Sequence, residues 1–182
     1  WNTAAGLILS DQPANVRIGL VGLGTGTLAR YGKPGQTMRI YELDPAVVRM
    51  MDLTILPDGK DLPPGRGTVA EGKQIYEIKC LACHGVGGQG QPMDRLTGGV
   101  GSLATPAPVK TVNSYWPYAT SLFDYIRRAM PLTTPQTLRS DEVYALVAYI
   151  LSIDGVVKPD AALDAMSLPA VKMPNREGFL NW

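Results

Sequence analysis

Two cysteines and one histidine stand within five residues of this 182-residue chain, and the sequence has no other residue of either type. They form the segment Cys80-Leu81-Ala82-Cys83-His84. In a C-x-x-C-H segment, two thiols can add to the two vinyl groups of one haem, and the imidazole that follows can bind its iron. One helical turn can present all three groups to one flat macrocycle. The segment therefore predicts one covalently attached haem c, with Cys80 and Cys83 as attachment points and His84 as proximal ligand.

The C-x-x-C pair taken alone has two other interpretations, a redox dithiol and half of a zinc site. A closed zinc site takes about four ligands, and three Cys and His residues are too few. A thioredoxin-like dithiol usually opens a helix after a strand, whereas the residues before Cys80 have the pattern of a helix. Haem attachment is therefore the preferred interpretation, and dithiol chemistry is the alternative.

A second iron ligand has to be something other than histidine, because His84 has no counterpart in the sequence. A Met thioether is a common partner of a haem-bound His. Among seven Met residues we favour Met130, which Pro131 follows in a loop between two predicted helices; Met93 and Met173 are the alternatives. Any single Met can also be a core residue. With both axial positions filled, the site would transfer electrons and have no open position for a substrate, so we assign no catalytic residue.

Two further side chains are candidates for haem contacts. The indole N–H of Trp116, in the aromatic run from Tyr115 to Tyr118, can donate to a haem propionate; plain packing of this run on the haem edge is an equal alternative. Arg127 can balance propionate charge, although a solvated helix face explains it as well and is the interpretation we favour.

The composition excludes several classes of protein. Seventeen basic and sixteen acidic residues give a net charge of +1 without a block of like charge, which argues against nucleic acid and a polybasic membrane surface. No apolar run approaches the roughly 18–20 residues that span a bilayer. Covalent haem attachment takes place outside the cytoplasm, so we expect an exported, periplasmic protein. No basic segment precedes an apolar run at the start, so we expect that the signal peptide is not in this chain.

Helical patterns flank the C-x-x-C-H segment. Thr68 and Glu71 form a capping box, which predicts a helix from there to the haem segment. Residues 85–119 are rich in Gly and Pro and predict irregular loops. Three further helices are predicted: from Thr120 or Ser121 to Met130, from an N-cap at Ser140 to Gly155, and a short one over 160–166.

This order of elements, with the motifs Cys80-x-x-Cys83-His84, Ala129-Met130-Pro131 and SDEVYALVAYI at 140–150, resembles a class I cytochrome c over about residues 68–155. The resemblance implies an all-α fold around one covalent haem. We divide the chain into an N-terminal extension at 1–57, a monohaem cytochrome c domain at 58–158 and a C-terminal tail at 159–182.

Three longer runs carry a closer resemblance: LPPGRG at 62–67, VKTVNSYWPYATSLFDYIRRAMP at 109–131 and MPNREGF at 173–179. They resemble the cytochrome c subunit of sulfite dehydrogenases and of the related sulfur dehydrogenase of thiosulfate oxidation, over about residues 52–180. The resemblance implies an electron-transfer subunit that takes electrons from a molybdenum-containing subunit, with the C-terminal tail as a partner contact. A free soluble electron carrier is the alternative.

The Gly-rich N-terminal extension has a different pattern. Residues 16–21 and 38–41 are candidate strands in a βαβ-like arrangement. The runs VGLGTGTLA at 21–29 and YELDPAVV at 41–48 resemble the start of a spermidine-synthase-like Rossmann domain, in which an acid such as Glu42 binds ribose. Two strands do not make a ligand crevice, so we favour a packing role. A nucleotide-binding transferase fragment and a segment foreign to this chain are the alternatives.

Overall fold

The computed structural model describes residues 58–178, Ile55, and the backbone of residues 17–21 and 37–41. The chain forms two compact units, Trp1–Asp52 and Leu53–Trp182. The functional division into an extension, a haem domain and a tail stays a prediction.

The described residues of the first unit form the strands β1 (Arg17–Val21) and β2 (Thr37–Tyr41). They pair in parallel, with Arg17 opposite Thr37 and Val21 opposite Tyr41. Both strands were predicted within a residue of these bounds. The Gly-rich run at 22–26 and the candidate ribose ligand Glu42 lie outside the described residues.

The second unit begins with β3 (Arg66–Thr68) and α1 (Val69–Lys79). The Thr68 hydroxyl accepts from the Glu71 N–H at 3.2 Å, and the Glu71 carboxylate accepts from the Thr68 N–H at 2.8 Å. The predicted capping box is thereby confirmed. The hydrogen bonds from Thr68 lower the pKa of the Glu71 carboxyl, so the charged form that caps the helix is the favoured one.

Helices α2 (Leu81–His84), α3 (Val112–Tyr115), α4 (Ala119–Ala129) and α5 (Ser140–Ile153) follow. A 3-10 turn at Val86–Gly88 and helix α3 interrupt the loop that was predicted over residues 85–119. Helix α4 begins one residue before Thr120, whose side chain is buried and forms no cap. Helix α5 has Arg139 as its N-cap, one residue before the predicted one, because the Glu142 carboxylate accepts the Arg139 N–H at 2.9 Å.

The predicted short helix at 160–166 is wrong. The chain there forms β4 (Ala162–Asp164), antiparallel to β3 with Arg66 opposite Asp164. The Asp164 carboxylate then accepts the backbone N–H groups of Met166 and Ser167, which turns the chain instead of starting a helix. The described part of the second unit is therefore mostly helical, with a small antiparallel pair of strands, β3 and β4.

The core lies where α1 crosses α5. Gly67 and Gly72 face the backbone of Ala145, and a Cβ atom at either glycine would collide with it. Around this crossing, Phe123 packs on Tyr144 with ring centroids 4.5 Å apart. The absence of side chains at the two glycines thus sets how closely α5 approaches β3 and α1.

The segment after α5 belongs to the same core. Leu163, Leu168 and Met173 are 4%, 0% and 3% exposed. The tail predicted from the sequence is therefore folded onto the helical unit as far as residue 178.

Candidate functional site

The C-x-x-C-H segment forms one turn that continues directly from α1. The N–H groups of Cys83 and His84 both donate to the Cys80 carbonyl, at 3.1 and 2.9 Å. Neither cysteine is in a disulfide. Both thiols and the imidazole are therefore carried by one helical turn, as their spacing predicts.

The two thiols differ in environment. Cys80 is half-buried and packs against the core, whereas Cys83 is exposed. Burial, and then the neighbouring Cys83, raise the pKa of the Cys80 thiol to about 11. Redox dithiols typically have a lowered pKa, so this environment does not favour the dithiol alternative.

A backbone carbonyl orients His84. Nδ1 of His84 lies 3.0 Å from the carbonyl oxygen of Asp94. Because a carbonyl can only accept, the proton belongs on Nδ1, which leaves Nε2 to bind a metal. Such a hydrogen bond fixes the tautomer and ring orientation of a ligating histidine.

The loop that supplies this carbonyl is tied to the same turn. Met93 donates its N–H to the Cys83 carbonyl at 2.9 Å, and Gly90 donates to the His84 carbonyl at 2.8 Å. The backbone at Gly85 is left-handed (φ 72°), and a Cβ there would lie 2.6 Å from the Gly90 carbonyl oxygen. Glycine is therefore required where the loop folds back over the C-x-x-C-H turn.

A second anchor holds the far end of the loop to α5. The Asp154 carboxylate accepts the Gly98 N–H at 2.6 Å and the Asn113 amide at 2.8 Å. Asn113 also donates to the Ile150 carbonyl and is fully buried. Sequence reasoning assigned no role to Asn113, Asp154 or Asp94, because their partners lie far away in the chain or are backbone atoms without a residue signature.

The three candidate thioethers have different surroundings. Met130 is the C-cap residue of α4 and is partly buried against the core. Met93 is 48% exposed, and Met173 is a core residue at 3% exposure. Met130 is thus held at the end of a helix with a partly accessible side chain, and Met173 has the burial of a packing residue.

The other two predicted site residues lie on and before α4. Trp116 is half-buried and meets Tyr125 edge-on, with ring centroids 5.5 Å apart. Arg127 is exposed in the last turn of α4. Its neighbour Arg128 forms an ion pair with Asp124, a carboxylate with no exposed surface. Sequence reasoning missed this buried pair, whose i, i+4 spacing is its only signal.

These residues fit a covalently attached haem. The chain provides two free thiols and an imidazole with an available Nε2 on one turn, and a thioether at the end of α4. A soft sulfur and an imidazole are ligands that haem iron accepts.

Comparisons with known proteins agree with this geometry. The family model of cytochrome c matches residues 69–154. A chain in the crystal structure of the sulfane dehydrogenase SoxCD from Paracoccus pantotrophus is 41% identical, with a TM-score of 0.68. The alignment covers 76% of this chain and 69% of that one. This chain belongs to the cytochrome c family. No curated protein matches this cytochrome.

Family membership identifies the cofactor of this cytochrome as covalently bound haem c, and the pair Cys80 and Cys83 fits the attachment motif. When bound, the haem iron accepts and releases one electron at a time. The protein is thus a haem electron-transfer cytochrome. Within its described residues, none of the helices has the length and apolar character needed to cross a membrane.

Proposed function

We propose that this cytochrome is the haem subunit of a sulfite- or sulfur-oxidising dehydrogenase complex. In this function it takes single electrons from a molybdenum-containing catalytic subunit and passes them to a soluble cytochrome. The observation that carries the proposal is the 41% identity to a sulfane dehydrogenase chain over 76% of this sequence. The alignment covers more of this chain than the cytochrome c family model, which matches residues 69–154, so the similarity extends beyond the region that the family model describes.

The proposed haem site uses the residues predicted from the sequence. Cys80 and Cys83 would hold the haem through their thiols, and His84 and Met130 would bind its iron. The Asp94 carbonyl, 3.0 Å from Nδ1 of His84, supports the role of His84 because it leaves Nε2 available. The position of Met130 at the end of α4, partly buried, supports its role as second ligand. A thioether ligand raises the reduction potential, which suits an acceptor of electrons.

Two outer residues complete the proposed site. Trp116 contacts a haem propionate or packs on the haem edge, and Arg127 balances propionate charge or faces the solvent. The half-buried position of Trp116 beside Tyr125 is compatible with either role of the indole. The exposed side chain of Arg127 is free to do either as well. We place the protein in the periplasm, because haem c is attached outside the cytoplasm. No catalytic residue is assigned to it.

Purification from the native host tests the complex directly. We expect the tagged protein to retain a molybdenum-containing partner, and its haem to be reduced when sulfite or a sulfane-sulfur compound is added. Sulfate, whose sulfur is fully oxidised and cannot donate electrons, is the control compound. A monodisperse, molybdenum-free haem protein that neither compound reduces would instead identify a free electron carrier.

A further inference from the structure

The C-terminal tail lies against the short connection between α3 and α4. Buried Leu168 and Met173 fix the tail to the core. Beyond Met173, the Arg176 N–H donates to the Met173 carbonyl at 3.1 Å, which forms a turn. The side chains of Asn175 and Arg176 are therefore presented from a turn that starts at a fixed point.

These two side chains contact both ends of the connection. The Asn175 amide donates to the carbonyl of Tyr115, the last residue of α3, at 2.7 Å. The Arg176 guanidinium carbon lies 4.6 Å from the centre of the Tyr118 ring, within cation–π range. Trp116 stands between these two points. We name Asn175, Arg176 and their contacts the tail clamp.

Tyr118 is the N-cap residue directly before α4; its backbone is extended and it forms no side-chain cap hydrogen bond. The side-chain hydrogen bond that usually fixes the start of a helix is thus missing at Tyr118. The tail clamp holds the Tyr118 ring from outside the helix.

Met130 lies at the other end of α4. The eleven residues of α4 make a rod about 16 Å long, and Met130 is its C-cap. A rigid rod transmits a shift at its start to its end, because its backbone hydrogen bonds leave little freedom between them. The backbone hydrogen bonds of α4 thus connect its N-cap residue Tyr118 with its C-cap residue Met130.

We infer that Asn175 and Arg176 are positioning residues of the haem site, and that the tail clamp keeps the Met130 thioether on the iron. The inference rests on the proposed function through its assignment of Met130 as axial ligand. The clamp is part of the cytochrome itself and works without a partner subunit.

Imidazole competition in the ferric holoprotein tests the clamp. Added imidazole displaces a Met thioether, so its apparent affinity reports how firmly Met130 is held. Loss of one hydrogen bond and one exposed cation–π contact corresponds to about a tenfold change in an equilibrium. We expect the double variant N175A/R176A to bind imidazole about tenfold more tightly and to have a weaker thioether–iron charge-transfer band. R176K in the wild-type background, which retains a cation over the ring, should stay close to wild type.

Two controls separate positioning from general destabilisation. Lys172→Ala removes an exposed charge from the same tail and should leave imidazole affinity unchanged. Leu163→Ala leaves a cavity in the core at β4 and should lower thermal stability without changing imidazole affinity. If Leu163→Ala tightens imidazole binding as much as N175A/R176A does, stability alone explains the effect and the clamp is refuted.

The failures are distinguishable. Imidazole affinity and reduction potential equal to wild type in N175A/R176A would overturn the tail clamp and leave the haem site as proposed. If the double variant does not fold, the single variants N175A and R176A decide by the same criterion. A charge-transfer band that survives in Met130→Ala would overturn the ligand assignment, and the clamp with it. A haem protein that lacks a molybdenum partner but shows the clamp effect would overturn only the proposed complex.

Discussion

Gly72→Ala tests the helix crossing on which the haem turn is built. Gly72 is buried in α1 against α5. A Cβ atom there would lie 2.5 Å from the carbonyl carbon of Ala145, and closer still to its oxygen. Real Cβ atoms essentially never approach another heavy atom within 3.0 Å. The obstacle is helix backbone, so α5 has to move away from α1.

Two opposing contributions, helix propensity and overpacking, decide whether Gly72→Ala raises or lowers the free energy of unfolding. In a helix interior, Ala is about 1 kcal/mol better than Gly. Overpacking a well-packed contact destabilises by typically 1–3 kcal/mol, occasionally more, and a backbone neighbour places Gly72 at the upper end. We expect a net loss of about 2 kcal/mol in the free energy of unfolding. At roughly 4 °C per kcal/mol for a domain of this size, Tm should fall by about 8 °C.

Chemical and thermal unfolding of the holoprotein, followed by far-ultraviolet circular dichroism, measure this change. Lys73→Ala and Lys73→Gly, at the neighbouring exposed position of α1, give the helix-propensity difference without the contact. A Gly72→Ala protein as stable as wild type, or more stable, would refute the close crossing of α1 and α5.

Three further predictions concern the site and its surroundings. Met130→Ala should abolish the thioether–iron charge-transfer band of the ferric protein and lower its reduction potential, measured by spectroelectrochemistry; a persistent band would exclude Met130 as ligand. Cys83→Ala should leave haem bound through Cys80 alone and shift the reduced α-band to longer wavelength, because one vinyl group stays conjugated; an unshifted band would contradict this. Burial raises the pKa of Tyr76 to about 12, so the unfolded state loses this proton first and stability should fall as pH rises from 10 to about 12. In Tyr76→Phe this fall should be shallower in denaturant titrations, and an unchanged slope would refute the assignment.

Local signals in the sequence account for the parts that were predicted correctly. The capping box of Thr68 and Glu71 uses atoms three residues apart, and it places the start of α1 correctly. The C-x-x-C-H turn likewise needs only its own residues. Helix α5 was predicted by its apolar spacing and ends near the predicted Gly155, at Ile153.

Contacts between distant segments account for the parts that were missed. Strand β4 exists because it pairs with β3, about a hundred residues earlier, and the local sequence at 160–166 permits a helix as readily. The carbonyl of Asp94 orients His84 through backbone atoms that every residue has. The hydrogen bond from the Asn175 amide to the Tyr115 carbonyl joins residues that are 60 positions apart. Such pairings depend on the whole fold, and no local pattern encodes them.

The measurement that tests the haem electron-transfer assignment most directly is the visible spectrum of the purified protein together with its intact mass. The chain should be produced in a host that attaches haem c. We expect a reduced α-band of c type that survives acid–acetone extraction, and a mass equal to the 19.5 kDa chain plus one haem. A colourless protein with the mass of the bare chain would contradict the account.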